Sequence, residues 1–431
     1  MKKGFYWIIS TQFLSSFADN ALLIVAIALL QELSAPDWAT PMLKFTFTIS
    51  YVLLAAFVAT FADSRPKGRV MFVTNLIKMV GLLTMLFWVH PLLAYGIVGI
   101  GAAAYSPAKY GILTELLPAE KLVVANGWIE GTTVSSIILG MGVGGFLVSP
   151  TMSEFLLGLH LPGAKTAAQS ALWVVLCIYL MATLCNLRIP DTGARYKKPV
   201  WRVGPMLMNF SRSVRVLWSD KLGQISLAIT TLFWGAGATL QFIVLKWAET
   251  ALGLPLHDSS WLLGVVAIGI AAGAILAAAT VPLKKALNVM GLGVVMGLMC
   301  VVLAFYNMDA IPEVSIAGIP LYLVIAALFL MVIGGLAGFF MVPMNALLQH
   351  RGHVRLSAGH SIAVQNFNEN IGILVMLAMY ALLIMLGLST RVIIILFGIF
   401  MMGAIYAVIL WNKANMREKD WTQLIGEEKH Y

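Results

Sequence analysis

Ala102-Ala103-Ala104-Tyr105-Ser106-Pro107-Ala108-Lys109 and Gly338-Phe339-Phe340-Met341-Val342-Pro343-Met344-Asn345 are two echoing stretches of one chain. Each lies inside a long apolar run, carries a proline, and places a polar side chain two residues after it. The two prolines stand 236 residues apart in a chain of 431. Working outward from them, apolar runs fall near 5–33, 40–62, 70–89, 91–114, 121–149 and 168–188. They resume near 221–250, 259–281, 286–306, 319–348, 357–386 and 389–411. A helix needs about 20 residues to cross the hydrocarbon core of a membrane. The layout is therefore six spans, a break, then six, with the proline echo on spans 4 and 10.

Composition agrees. The chain is 60% hydrophobic and 11% charged, with a mean hydropathy of +0.90. A soluble chain could not hide that much apolar surface, so lipid is its solvent. Met1-Lys2-Lys3 followed by apolar residues and Ser16-Phe17-Ala18 has the outline of a signal peptide. Thr11 and Gln12 interrupt its core, however, and the apolar run resumes past Asn20 to Leu33, giving an uncleaved first span. The expected division is a six-helix bundle over 1–188, a basic linker over 189–220, a second bundle over 221–411 and a tail over 412–431. Trp201, Met206, Leu207, Phe210, Val214 and Leu217 would give part of the linker an amphipathic helix on the membrane surface.

The net charge of +9 does not indicate nucleic acid, because the positions of the charges follow topology. With the N-terminus inside, 22 of the 28 Lys and Arg fall in inside segments and only Lys165 and Arg391 outside. Both termini are expected in the cytoplasm. Two parallel six-span halves related by an axis along the membrane normal resemble the major facilitator superfamily. The expected fold class is thus all-α integral membrane, twelve transmembrane helices in two pseudo-symmetric bundles. Cys177, Cys185 and Cys300 all lie in apolar stretches and read as small buried hydrophobes.

Charges inside spans are costly and call for a reason. Span 1 holds Asp19 and Asn20, span 4 Lys109, span 5 Glu130, and span 7 Gln241 with Lys246 nearer its outer end. Asn345 follows the span 10 proline, and span 11 holds Gln365, Asn366, Asn368, Glu369 and Asn370. In the facilitator architecture spans 1, 4, 7 and 10 line the cavity and spans 5 and 11 flank it. Asp19 and Lys109 are expected to pair there as a working site; the rival role is an ion pair that only locks helices together. Glu130 and Glu369 suit substrate contact, proton carriage or interhelical hydrogen bonding alike. Lys44 and Lys78 read as scaffold residues snorkelling toward an interface.

After span 2 comes Ala62-Asp63-Ser64-Arg65-Pro66-Lys67-Gly68-Arg69, which resembles the superfamily's gating motif with two extra residues in its spacing. The resemblance implies that Asp63 docks at the N-terminal end of span 11, whose dipole favours an anion, and that Arg69 pairs with Glu115. The plain alternative is topogenic charge in a tight loop. Gly158 to Thr166 imitates a phosphate loop, but Ala164 intrudes before Lys165 and the segment falls on the outside. His350, His353 and His360 sit in a basic stretch with no nearby acid, which reads as a solvated loop and not a metal site. No catalytic residue, cofactor or metal is expected.

Further strings are more specific. Gln12-Phe13-Leu14, Phe17-Ala18-Asp19-Asn20-Ala21-Leu22-Leu23, Gly101 to Leu113, Leu232-Phe233-Trp234-Gly235-Ala236-Gly237, Val342 to Gln349 and Ile362-Ala363-Val364-Gln365-Asn366 together resemble the lysophospholipid transporter family of Gram-negative inner membranes. The resemblance implies flipping of lysophosphatidylethanolamine and related lysolipids, including lysophosphatidylglycerol, from outer to inner leaflet by alternating access. It further implies a monomer in membrane lipid, and a cytoplasmic acyltransferase–acyl-carrier-protein synthetase that restores the second chain. Asp19 would take the ammonium and Lys109 the phosphate of a zwitterionic headgroup. Gln241 departs from the family, which has Arg there, and Lys246 lies five residues on. The rival functions are a facilitator for an amphipathic drug or organic anion, and a non-transporting scaffold for the acyltransferase.

Overall fold

The computed structural model describes residues 3–63, 65–87, 89–116, 119–192, 202–308, 311–316, 318–356 and 358–425. With no water in hydrocarbon to receive backbone groups, apolar runs must close their hydrogen bonds within helices. The helices are α1 (Lys3–Glu32), α2 (Ala39–Asp63), α3 (Lys67–Leu86), α4 (Pro91–Leu116), α5 (Ala119–Leu147), α6 (Pro150–Gly158) and α7 (Ala167–Asn186). There follow α8 (Val203–Ser219), α9 (Gly223–Leu252), α10 (Leu256–Thr280), a tight turn at Leu283–Val289, and α11 (Met290–Leu303). After a two-residue hairpin, β1 (Ser315–Ile316) with β2 (Ile319–Pro320), come α12 (Leu321–Arg355), α13 (Ala358–Met385) and α14 (Thr390–Glu418). Among the described residues eleven helices are long and apolar enough to cross a membrane, and α5 with α6, bent by 67° where they meet, make a twelfth. The chain is an all-α membrane protein.

The chain divides into two compact units, Met1–Val203 with Leu256–Gly264, and Gly204–Pro255 with Val265–Tyr431. In the first, α1 packs on α5 and α7, α4 on α2 and α3, and α3 on α7. In the second, α9 packs on α13 and α14, α12 on α11, and α11 on α14. Glycines of α10 and α12 bring that pair together as α2 and α4 are brought together in the first unit. Each unit thus repeats one pairing pattern, as the proline echo predicts. Two of these contacts leave no room for a side chain. A Cβ on Gly99 would stand 2.2 Å from the Phe47 carbonyl oxygen, and one on Gly273 1.9 Å from that of Gly335. Because backbone cannot step aside, Gly99→Val should cost about 3 kcal/mol, the upper end of overpacking. The thermal midpoint reads this directly, with Gly403→Val as a silent control, since nothing lies within 4 Å of a Cβ there.

Two local expectations change. The loop after α2 is short: Arg69 lies in the first turn of α3, its N–H bonded to the Pro66 carbonyl at 2.9 Å. The basic loop expected after residue 348 is helix, because α12 continues to Arg355 and carries His350 and Arg351 within it. The imitation phosphate loop ends in a helix cap: the Thr166 hydroxyl accepts from the Gln169 N–H at 3.3 Å and the Gln169 side chain accepts from Thr166 N–H at 3.2 Å. Glu32 of α1 accepts the Ala168 N–H at 3.0 Å, so the first helical donors of α7 are already satisfied.

The amphipathic linker helix forms as α8, but its apolar stripe is divided. Leu217 is buried with Leu227, Leu348 and Val364, and Phe210, Val214 and Trp218 pack against that cluster. Phe210 meets Phe367 edge-on at 5.1 Å, and Trp218 stacks on Trp411 at 6.5 Å. Val203, Leu207 and Met208, nearer its start, stay exposed.

Candidate functional site

Asp19 sits midway along α1, the helix that α5 and α7 flank in the first unit. Its partners come from three other helices. Lys78 of α3 places its Nζ 2.7 Å from Asp19 Oδ2. Tyr179 of α7 donates its hydroxyl to Oδ1 at 2.5 Å, and Tyr95 of α4 donates to the Asp19 backbone carbonyl at 3.4 Å. Lys78 also donates to Ser15 Oγ at 3.0 Å, one turn back on α1, and Ser15 donates to Asn75 Oδ1 at 2.7 Å. The Lys78 ammonium lies 5.0 Å from the Tyr105 ring centre and 5.9 Å from that of Tyr179. An ion pair this deep is tolerated only when further hydrogen bonds satisfy both charges, and this one has them.

Lys78 therefore corrects the sequence reading. It does not snorkel: its side chain is 2% exposed, and it is the cation bound to Asp19. Asp19 keeps 19% of its side chain exposed, so the carboxylate is the accessible partner of the two. Two buried polar atoms at this cluster, Asn75 Nδ2 and Tyr105 Oη, have no hydrogen-bond partner among the described residues. Lys44 of α2 holds its ammonium 5.1 Å over the Phe47 ring, and Phe47 leans on Tyr95 at 5.1 Å. Sequence alone could have found Lys78 only by noticing that Lys78, Asn75 and Thr74 give α3 a polar side.

The other expected site residues fall as follows. Asn20 donates to the Ser16 carbonyl at 2.8 Å, within its own helix. Lys109 lies half-buried on α4 beyond Pro107. The side chains of Asp63, Glu115 and Glu130 lie outside the described residues, while Arg69 is exposed. In the second unit the structure brings three of the candidates together. Gln365 of α13 donates to Asn345 Oδ1 of α12 at 2.7 Å and to Glu369 Oε1 at 2.8 Å. Asn366 lends its carbonyl to Asn370 at 2.7 Å, and Trp218 of α8 donates to Asn368 at 3.0 Å. Gln241 of α9 has a buried Nε2 with no partner among the described residues. Lys246 pairs with Glu249 at 3.1 Å. No group of three His, Cys, Asp or Glu among the described residues is placed to hold a metal.

The second unit holds another buried pair that the sequence reading did not single out. Asp220, just before α9, accepts from Arg351 of α12 at 2.6 and 3.1 Å and from the N–H groups of Gly223 and Leu222 at 2.7 and 3.2 Å. Burial alone would raise this carboxyl. The Arg351 hydrogen bonds, the Gly223 N–H and the charges of Arg351 and Arg355 outweigh it and hold the group below the usual carboxylate range. Arg351 also donates to the Leu424 carbonyl at 3.1 Å, tying down the turn at Trp421–Leu424. Lys221 meets Glu418 at 3.0 Å beside it.

The family model of the Major Facilitator Superfamily matches residues 8–376. Lysophospholipid transporter LplT of Yersinia pestis strain Pestoides F is 42% identical to this chain over 381 residues, 88% of this chain and 86% of its own length. The protein of that name in Yersinia pseudotuberculosis serotype O:3 strain YPIII gives the same figures. Among solved structures, a bacterial homologue of the human lysosomal transporter Spinster, inward-facing and unoccupied, matches with a TM-score of 0.70 at 15% identity, covering 97% of this chain and 99% of its own. A mutant of the nucleoside transporter NupG matches at 0.69 and 12% identity, covering 95% and 100%. At such identities these two structures speak for the fold alone.

Proposed function

This chain belongs to the major facilitator superfamily and, within it, to the lysophospholipid transporter family, and from that premise we propose that it carries lysophospholipids between the leaflets of the bacterial inner membrane. It is a transporter and not an enzyme. The cargo is lysophosphatidylethanolamine, with lysophosphatidylglycerol beside it, moved from outer to inner leaflet by alternating access. A cytoplasmic acyltransferase–acyl-carrier-protein synthetase then re-acylates it. The transporter works as a monomer with both termini in the cytoplasm, where 22 of its 28 Lys and Arg then lie.

The observation that carries this reading is the exposed edge of Asp19 in an otherwise buried cluster, where Lys78 and Tyr179 each hold one carboxylate oxygen. A carboxylate held that way takes a headgroup ammonium or hydroxyl by a charge-assisted hydrogen bond. Lys109, with Asn20 and Glu130, completes the headgroup contacts in the first unit, Lys109 facing the phosphate. In the second unit the same role falls to Gln241, Asn345, Gln365, Asn366 and Glu369. Gln241, whose buried N–H has no partner among the described residues, supplies phosphate with a donor that carries no charge. Asp63, Arg69 and Glu115 form the contacts that make and break between access states.

The test is leaflet-resolved uptake. Cells lacking their own copy, supplied with this protein, should convert externally added labelled lysophosphatidylethanolamine to the diacyl form. The purified protein in vesicles should clear the lipid from the outer leaflet. Uptake indifferent to the acyl chain would instead favour a facilitator for soluble amphipathic solutes. Conversion that survives loss of Asp19 but not of the linker would favour a scaffold.

A further inference from the structure

We infer that Lys78 is a positioning residue of the headgroup site, a fixed counter-ion that holds Asp19 with one carboxylate edge free for the cargo. The inference rests on the reading of Asp19 as a headgroup contact. Lys78 reaches Asp19 from α3, its stem passing Gly101 of α4, where a Cβ would lie 2.7 Å from Lys78 Cγ. An ammonium has three N–H donors and no acceptor. One donor goes to Asp19 Oδ2 at 2.7 Å and one to Ser15 Oγ at 3.0 Å, while two tyrosine rings face the charge. Ser15 spends its own proton on Asn75, so its lone pairs are left to Lys78. At 2% exposure and with this set of partners, Lys78 is not itself within reach of a headgroup.

Asp19 is differently placed. A carboxylate offers about four acceptor positions. Tyr179 and Lys78 each take one, from different oxygens, and the exposed edge retains others. Lys78 neutralises the pair before any cargo arrives. A headgroup then needs to bring only a donor, not the counter-charge that a lone buried carboxylate would demand. Stripped of its counter-ion, an acid at this depth favours its neutral form and loses acceptor strength. Among the described residues, Lys44 and Tyr51 of α2, Tyr95 and Tyr105 of α4, and Tyr179 of α7 also bear on Asp19. Of these, Lys44, seated over Phe47, is the other basic side chain. On α5, the Glu130 side chain lies outside the described residues.

The test compares Lys78→Met, Lys78→Gln and Lys78→Arg with wild type. Uptake of labelled lysophosphatidylethanolamine into vesicles is measured per folded molecule from acidic to alkaline pH. Lys78→Met should lose at least about tenfold at neutral pH, the worth of one hydrogen bond to a charged partner, and should recover as pH rises. Lys78→Gln, which keeps a donor without the charge and tests the point even where Met does not fold, should show the same dependence. Lys78→Arg should keep the wild-type profile. Neutral variants whose uptake per folded molecule follows the wild-type pH profile, whatever their yield, overturn the inference alone. Wild-type protein that moves no lysolipid overturns the reading beneath it, and this inference with it.

Discussion

Arg351→Met should lower the stability of the purified protein by about 3–5 kcal/mol, the cost of stranding one member of a buried ion pair. Arg351 and Asp220 expose only 3% and 5% of their side chains, and the guanidinium engages both carboxylate oxygens. Without it Asp220 keeps, among the described residues, the helix-start N–H groups and Arg355, 3.8 Å away and 51% exposed. Arg355→Met, by the same physics, should cost no more than about 1 kcal/mol. Thermal melts of the two variants beside wild type decide the matter; equal losses would show the pair to be worth no more than a surface contact. The wild-type pair also has a defined acid sensitivity. Because the folded Asp220 carboxyl lies below its usual range, its contribution is complete above the ordinary carboxylate pKa of about 3.9. It fades as pH falls through the lower folded value. Arg351→Met should flatten that portion of the acid melting curve.

Asp19→Asn should abolish most lysolipid uptake. A hydrogen bond to a charged partner is worth about 1.5–3 kcal/mol, which converts to roughly a 10- to 150-fold loss of headgroup affinity. The amide also turns a donor toward either Lys78 or Tyr179, and strands the Lys78 charge that the carboxylate balances. Uptake must therefore be counted per folded molecule. Lys109→Ala should reduce uptake as well, counted in the same way. Were both variants to move lipid at the wild-type rate, the site would have to be sought elsewhere.

The spans and the twofold repeat were legible because hydropathy and proline position are local signals, each read without knowing what touches what. Asp19 was legible as well, since an acid within a first span has few neutral explanations. Its true partner was not. Lys78 and Lys109 are each a basic residue inside an apolar run, and nothing local says which long side chain turns inward and which toward an interface. That is settled by Gly101, which lets the Lys78 stem pass, and by Ser15 and two tyrosines on helices remote in sequence. Asp220 and Arg351 were hidden for a similar reason. They lie 131 residues apart at the ends of spans, where charges are expected for topology alone. The boundary of α12 was missed because Gln349, His350 and Arg351 look polar, while the helix carries on to bury Arg351 against Asp220.

The grip of Arg351 on Leu424 falls on a main-chain carbonyl, not on a side chain. A carbonyl is present whatever residue stands there, so this tether is blind to amino-acid identity and sensitive only to spacing. Substitutions can accumulate freely at that position over evolutionary time. A single-residue deletion between Glu418 and Leu424, by contrast, would shift the register and cut the tether. A reporter domain joined beyond Ile425 leaves it whole, whereas one joined directly after Glu418 removes it.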